Sequence, residues 1–171
     1  MSWVFDATPL IYLAKAERLG VVGSLDGPCL VPERVYHEVV TDGIAAGYTD
    51  ARRIERRVDE GVLDVVGVEE SQLAARLADD PGLSGADVAV LACASARDAI
   101  AVMDEAAGRS AAAVEGIETR GTAYLVLAAV SEGAITPTEG REAIDTMLER
   151  GWYVAPDLYA RILSKLESFE E

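Results

Sequence analysis

The sequence predicts an α/β fold, with a central, mostly parallel sheet of four to five strands between helices in a three-layer α/β/α arrangement. Short apolar and partly β-branched runs, "WVF" (3–5), "CLV" (29–31), "LDVVGV" (63–68) and "IAVM" (100–103), alternate with segments of helical periodicity. Strands separated by helices pair in parallel, because a parallel connection needs a crossover. The length of 171 residues and hydrophobic content of 50% suit one core. One domain over 1–171 is expected, with about 134–171 as a C-terminal helical extension.

The first strand leads into a helix at 8–16, and the second into helices at 32–40 and 46–60. Pro9 and Pro32 fit first helical positions, and Gly43 and Gly61 fit as stops. Helices at 69–78 and 85–98 follow the third strand, separated by "DDPGLSG" (79–85), a turn-rich break too short for a domain linker. Beyond the fourth strand, helices are expected at 105–113, 121–132, 138–150 and 156–167. Thr136-Pro137-Thr138-Glu139 reads as a capping box around a proline, and Gly133 and Gly151 fit as stops. No repeat or low-complexity tract interrupts this pattern.

No run of about 18 uncharged apolar residues occurs, and the amino terminus lacks a basic segment followed by an apolar stretch and cleavage site. A cytoplasmic protein that does not enter a membrane is expected. Cys29 and Cys93 lie far apart in apolar strand and helix segments, as buried reduced thiols do, so no disulfide framework is indicated. The net charge of −15 argues at first against a nucleic-acid partner, since phosphate binding draws on Lys and Arg. Of the 15 cations, however, only Lys15 and Lys165 are lysines, and the 30 acids stand in a background rich in Ala, Gly and Val. This balance resembles proteins of salt-accumulating halophiles. At molar salt the screening length falls to about 3 Å, and local arginines decide binding.

Ligands of an open parallel sheet bind outside the carboxyl ends of its strands. Asp6 ends "WVF" and Asp104 ends "IAVM", so both belong at that edge. Glu38 in "VPERVYHEVV" and Asp87 in "LSGADVAVLACA" border the apolar stripes of their helices. Each acid has a plainer reading: Asp6 as a helix cap, Glu38 as a solvated residue, Asp87 as half of a Ser84–Asp87 capping box, Asp104 and Glu105 as partners of a helix dipole. Their order, context and spacing together exceed four unrelated coincidences.

At this point the sequence resembles the PIN domains, metal-dependent nucleases that include the toxins of VapBC-type toxin–antitoxin pairs. "VFDATPLIYLAKAERL", "CLVPERVYHEVV", "LSGADVAVLACASA" and "IAVMDEAAGR" look like the four acidic motifs of that family. "RGTAYLVLAAVSEGAI" and the helices after it are similar to a PIN-like branch with a Gly-Thr before a helix. In that branch the fourth motif reads Asp-Asp, then arginines, then Ala-Arg. Here Asp104-Glu105-Ala106-Ala107-Gly108-Arg109 keeps the first acid and the last arginine. The resemblance implies a PIN-like fold, a metal-dependent endoribonuclease acting on single-stranded RNA, a small cognate antitoxin protein, and a homodimer.

Oxygen-only donors suit Mg²⁺ or Mn²⁺ rather than zinc. The expected catalytic set is Asp6, Glu38, Asp87 and Asp104, with Asp6 and Asp87 as principal metal ligands, Asp104 as metal ligand or water-positioning group, and Glu38 as proton acceptor or ligand through water. Thr8 is expected to orient Asp6, unless it caps the helix, and Glu105 to support the site. His37, though adjacent to Glu38, points in another direction on a helix. "ARRIERRVDEG" sets Arg52 and Arg56, and Arg53 and Arg57, at i,i+4 spacing, an RNA-binding stripe or else a solvated face paired with Glu55, Asp59 and Glu60. Arg109 and Arg120 are further RNA-binding candidates, with Thr122, whose helix-start amide can meet a phosphate. A binding module without catalysis and an RNA-processing nuclease are the alternatives. Phosphotransfer of the haloacid-dehalogenase kind would want an Asp at position 8, where Thr8 stands.

The charge balance generates one prediction. Self-repulsion among 30 acids destabilises the compact state until it is screened. Thermal unfolding should show a Tm that rises between dilute buffer and molar KCl, and a flat response would contradict the halophile reading.

Overall fold

Five short strands form a fully parallel sheet in the order β3-β2-β1-β4-β5 in the computed structural model, which describes residues 1–170. They are β1 (Trp3–Phe5), β2 (Cys29–Pro32), β3 (Asp64–Val66), β4 (Ile100–Val102) and β5 (Thr119–Arg120). Glu171, the last residue of the expected domain, lies outside the described residues. The helices are α1 (Ala7–Lys15), α2 (33–45), α3 (Thr49–Asp59), α4 (Gln72–Ala78), α5 (Gly85–Arg97), α6 (Ala106–Val114), α7 (Thr122–Ser131), α8 (Pro137–Glu149) and α9 (Pro156–Ser168). Each matches a segment read as helical from the sequence. A 3₁₀ segment, Leu19–Ser24, was not foreseen, and neither was β5, whose two residues carry no apolar run.

Register follows burial. Val4, Phe5, Val31, Ala101 and Val102 are fully buried, so β1 and its neighbours are covered on both faces, as parallel strands are. Helix packing groups α1 with α3, and α5 with α4 and α6, and the right-handed rule for parallel crossovers puts these groups on opposite faces of the sheet. The C-terminal helices α7 and α8 join the α1 side, and α9 packs on both. Ala143, Ile144, Met147, Ile162 and Leu166 belong to the same apolar cluster as the strands, so the extension shares the domain's core.

Two glycine expectations are settled by geometry. Gly61, Gly133 and Gly151 stop helices with φ of 80°, 78° and 105°. Gly43 does not: α2 runs through it to Ala45, and the left-handed residue is Gly47 (φ 82°). Gly43 serves a close approach instead, since a Cβ there would stand 2.8 Å from that of Ala51 on α3. Pro9 also sits inside the first turn of α1 rather than at its first position, because the helix begins at Ala7. Pro32 is the residue before α2.

Where α7, α8 and α9 meet, Gly140 admits no side chain, its missing Cβ falling 2.7 Å from Val130 Cγ2 and 3.2 Å from Leu166 Cδ2. Gly140→Val should overpack this junction and destabilise the fold by about 1–3 kcal/mol. Calorimetry should register a Tm lower by roughly 2–10 °C, and an unchanged Tm would mean that the three helices pack loosely.

Candidate active site

The strand order reverses between β1 and β4: the chain runs outward through β2 and β3 on one side, then returns to start β4 and β5 on the other. Crevices at such switch points are where open α/β sheets bind ligands. Asp6 stands there, directly after central β1, with its N–H bonded to Val102 O of β4 at 3.0 Å. Its side chain is 4% exposed and caps α1, Oδ1 accepting from Ala7 N–H at 2.8 Å. The cap is therefore Asp6 and not Thr8, and no hydrogen bond links Thr8 to Asp6 among the described residues. The orienting role expected for Thr8 falls away.

Three acids from other elements bear on Asp6. Burial above all, with the charges of Asp87, Glu105 and Glu38, raises its pKa from 3.8 to about 7, against the lowering effect of the Ala7 N–H. Asp87, 6% exposed in the first turn of α5, forms the anticipated capping box: Ser84 N–H donates to Asp87 Oδ2 at 2.9 Å, and Asp87 N–H donates to Ser84 Oγ at 3.1 Å. The cap and the site position coexist, since the same bonds fix the carboxylate. Glu38 is exposed and lies in a π-helical stretch of α2, His37–Asp42, a local winding frequent at functional sites. Glu105 is exposed at the start of α6.

Asp104 is already held by three donors. Its Oδ1 accepts from Thr122 N–H at 2.7 Å, while its Oδ2 accepts from Thr122 Oγ1 at 2.7 Å and Trp152 Nε1 at 3.1 Å. Both oxygens are engaged by α7 and by Trp152, and the acids whose charges raise the Asp6 pKa are Asp87, Glu105 and Glu38. The same bonds correct the reading of Thr122, because the N-terminus of α7 already holds the Asp104 carboxylate and does not offer its amide to a phosphate.

The arginine stripe also lies elsewhere. Arg53 donates to Ala14 O at 2.9 Å and pairs with Glu17 at 3.1 Å, at the end of α1 opposite Asp6. Eight residues of helix, about 12 Å, separate the two ends. Arg52 pairs with Glu55 and Arg57 with Glu60, the solvated pairing foreseen as the alternative, and Arg56 shares a small cavity with Arg53 and Arg57. Arg120 pairs with Glu118 at 2.7 Å and lies over the Tyr124 ring, while Arg109 donates to Met103 O at 3.3 Å beside Asp104.

The cation that sequence reasoning missed is Arg34. Its guanidinium packs on Gly85 at the start of α5, where a Cβ would come within 2.2 Å of it, and it lines a groove of about 600 Å³ with Glu33, His37, Glu38 and Asp42. Arg34 precedes Glu38 by four residues, a spacing that puts the two on one helix face and was legible. His37 faces Asp42 at 3.6 Å, on the wall of that groove.

The donors around Asp6 fit a hard divalent cation: they are carboxylate oxygens, and Asp6 and Asp87 each keep lone pairs beyond one backbone N–H. Among the described residues no three His, Cys, Asp or Glu side chains are grouped closely enough to cage an ion. Few direct protein ligands suit Mg²⁺, which keeps several waters.

The profile of the family described as "DUF3368: PIN domain" matches residues 2–168. Two solved structures share the fold. VapBC-1 from nontypeable Haemophilus influenzae is 12% identical, with a TM-score of 0.52 over 71% of this chain and 98% of that chain. VapBC2 from Rickettsia felis, bound to a DNA fragment from their promoter, is 12% identical with a TM-score of 0.50 over the same shares. No curated protein matches the sequence.

Because Asp6 keeps its proton up to about pH 7 when folded but only to 3.8 when unfolded, folding takes up a proton between those values. Its stabilising contribution is complete below pH 3.8 and lost as pH rises through about 7. Asp6→Asn keeps a capping oxygen and removes the charge. Without metal it should raise Tm near pH 8 by roughly 2–6 °C and leave it unchanged near pH 4. Mn²⁺ should raise the Tm of the parent and not of the variant. A variant less stable than the parent near pH 8 would mean that the surroundings favour the Asp6 charge.

Proposed function

The chain belongs to the PIN-domain family, and from that premise we propose that it is a metal-dependent endoribonuclease cutting single-stranded RNA, the toxin of a toxin–antitoxin pair. The observation that carries the reading is the buried Asp6 carboxylate at the switch point, with the charges of Asp87, Glu105 and Glu38 converging on it from three other elements. Acids gathered this way destabilise the empty site, and a cation relieves them. A small cognate antitoxin and a homodimer complete the proposal. The C-terminal helices are proposed as an integral extension of the one domain.

Asp6 and Asp87 would hold Mg²⁺ or Mn²⁺, with Glu105 in the place first given to Asp104. The bound cation supplies positive charge at the scissile phosphate. Arg34 binds a non-bridging phosphate oxygen from the groove wall and orients the strand. Glu38 takes the proton of the attacking water on a carboxylate oxygen as the water oxygen bonds to phosphorus and one P–O ester bond breaks, the leaving oxygen taking a proton from solvent. The engaged Asp104 keeps Glu105 turned toward Asp6. A catalytically silent binding module is the second reading, favoured by one observation: no ready-made cage of three ligands exists among the described residues.

Cleavage of several single-stranded RNAs at high salt with Mn²⁺ tests the proposal. Asp6→Asn, Asp87→Asn and Glu105→Gln should each reduce the rate roughly 10²-fold or more, and a chelator should abolish cutting. Arg34→Ala should mainly weaken binding and flatten its salt dependence. The paired change Arg53→Ala and Arg57→Ala, at the far end of α1, should leave the rate near that of the parent. If the parent cuts none of the RNAs, or its cutting survives both Asp6→Asn and the chelator, the binding-module reading takes over.

A further inference from the structure

A second groove, of about 550 Å³, runs between the start of α6, α7, the 151–155 loop and α9. Its floor is apolar, formed by residues such as Leu127, Val154 and Ile162. Its walls carry aromatic rings. Tyr153 is 81% exposed and Tyr124 42% exposed, and the buried Trp152 ties the loop to Asp104 through Nε1. The Tyr124 ring is held between Trp3, with centroids 6.3 Å apart, and the Arg120 guanidinium, 5.2 Å from its centroid. Packing accounts for Trp152 but gives no reason for a tyrosine as open as Tyr153, in a chain with only six Tyr, two Trp and two Phe.

The charge of the groove runs against that of the molecule. The net charge is −15, yet Arg109 and Arg161 line this groove, with Asp104 the one acid of its lining among the described residues. Three donors already meet the Asp104 carboxylate, whereas the ion pair of Arg161 among the described residues is a loose one, with Asp157 at 3.8 Å. Open rings beside arginines, over an apolar floor, suit a flexible anionic chain with flat bases. The groove also reaches the chain segment beside the acid cluster: Asp104 lines it, and the next residue, Glu105, is one of the acids whose charge bears on Asp6.

We infer that this groove is where single-stranded RNA is held next to the acid cluster, with bases stacking on Tyr153 and Tyr124 and phosphates meeting Arg109 and Arg161. The inference rests on the nuclease reading for its choice of ligand, but its test needs no cleavage. The C-terminal helices then act as the substrate-reading part of the domain, and Trp152 couples them to the strand end that carries Glu105.

Fluorescence anisotropy of a short labelled oligouridylate, in a chelator and at the lowest KCl concentration that keeps the chain folded, measures binding alone. Tyr153→Ala should weaken Kd roughly tenfold and Tyr153→Phe should retain it, since stacking needs the ring and not the hydroxyl. Arg161→Ala should also weaken binding and reduce the slope of log K against log salt by about 0.7. Both side chains are exposed, so loss of fold does not confound the readout. Parent-like affinity in Tyr153→Ala and Arg161→Ala overturns the groove even if the parent cuts RNA, as expected if the face receives a protein instead. A parent that binds no RNA overturns it too. Groove-dependent binding by a parent that cuts nothing supports the groove and removes only the nuclease reading.

Discussion

A carboxylate kept 4% exposed at the end of the central strand, with one backbone N–H as its hydrogen-bond partner, is the constraint around which this sheet edge is arranged. Asp6 cannot turn to solvent, because β2 and β4 flank β1 and the buried residues of α1 close over it. Deprotonated, it is a poorly compensated charge in a low-dielectric setting, and the neighbouring acids add to the penalty rather than relieve it. Two remedies exist: a proton, which the raised pKa describes, or a cation. The carboxylates of Asp87, Glu105 and Glu38 make sense with the second.

Two neighbours in sequence, Asp104 and Glu105, divide the work at the end of β4. Successive residues leaving a strand point in different directions. Asp104 turns to Thr122 and Trp152, capping α7 and fastening the loop before α9, while the charge of Glu105 bears on Asp6. The helices beyond β5 are thereby tied to the same chain segment that brings an acid to the site. Gly121 allows this, because a Cβ there would sit 3.0 Å from Asp104 Oδ1 and 3.2 Å from Arg109 Nη1.

The distribution of arginine matters more than the total charge. Arg53 and Arg57 are engaged with Glu17 and Glu60 at the far end of α1, in pairs that contribute little in water. Arg34, Arg109 and Arg161 instead border the two grooves that meet the sheet's carboxyl edge. The groove lined by Arg109 and Arg161 therefore holds more cations than acids on a −15 chain, whereas Arg34 stands among Glu33, Glu38 and Asp42.

The sequence alone determined the helices α1 to α9, strands β1 to β4, their parallel pairing and the sheet-edge position of Asp6, because hydrophobic period and capping residues are local properties. Ser84–Asp87 and Thr136–Glu139 are boxes readable over four residues, and both form. Strand β5 escaped because two residues, Thr119 and Arg120, leave no pattern; β4 pairs with them through backbone bonds that any sequence can make. Only tertiary structure decided that Asp104 is held by Thr122 and Trp152, 18 and 48 residues downstream, while the charge of Glu105 bears on Asp6. Tertiary packing likewise decided between the two readings of the arginine stripe. Helical spacing shows that Arg53 and Arg57 share a face, but which end of α1 that face meets is fixed by packing, and Arg34 gained its place from Gly85 on another helix.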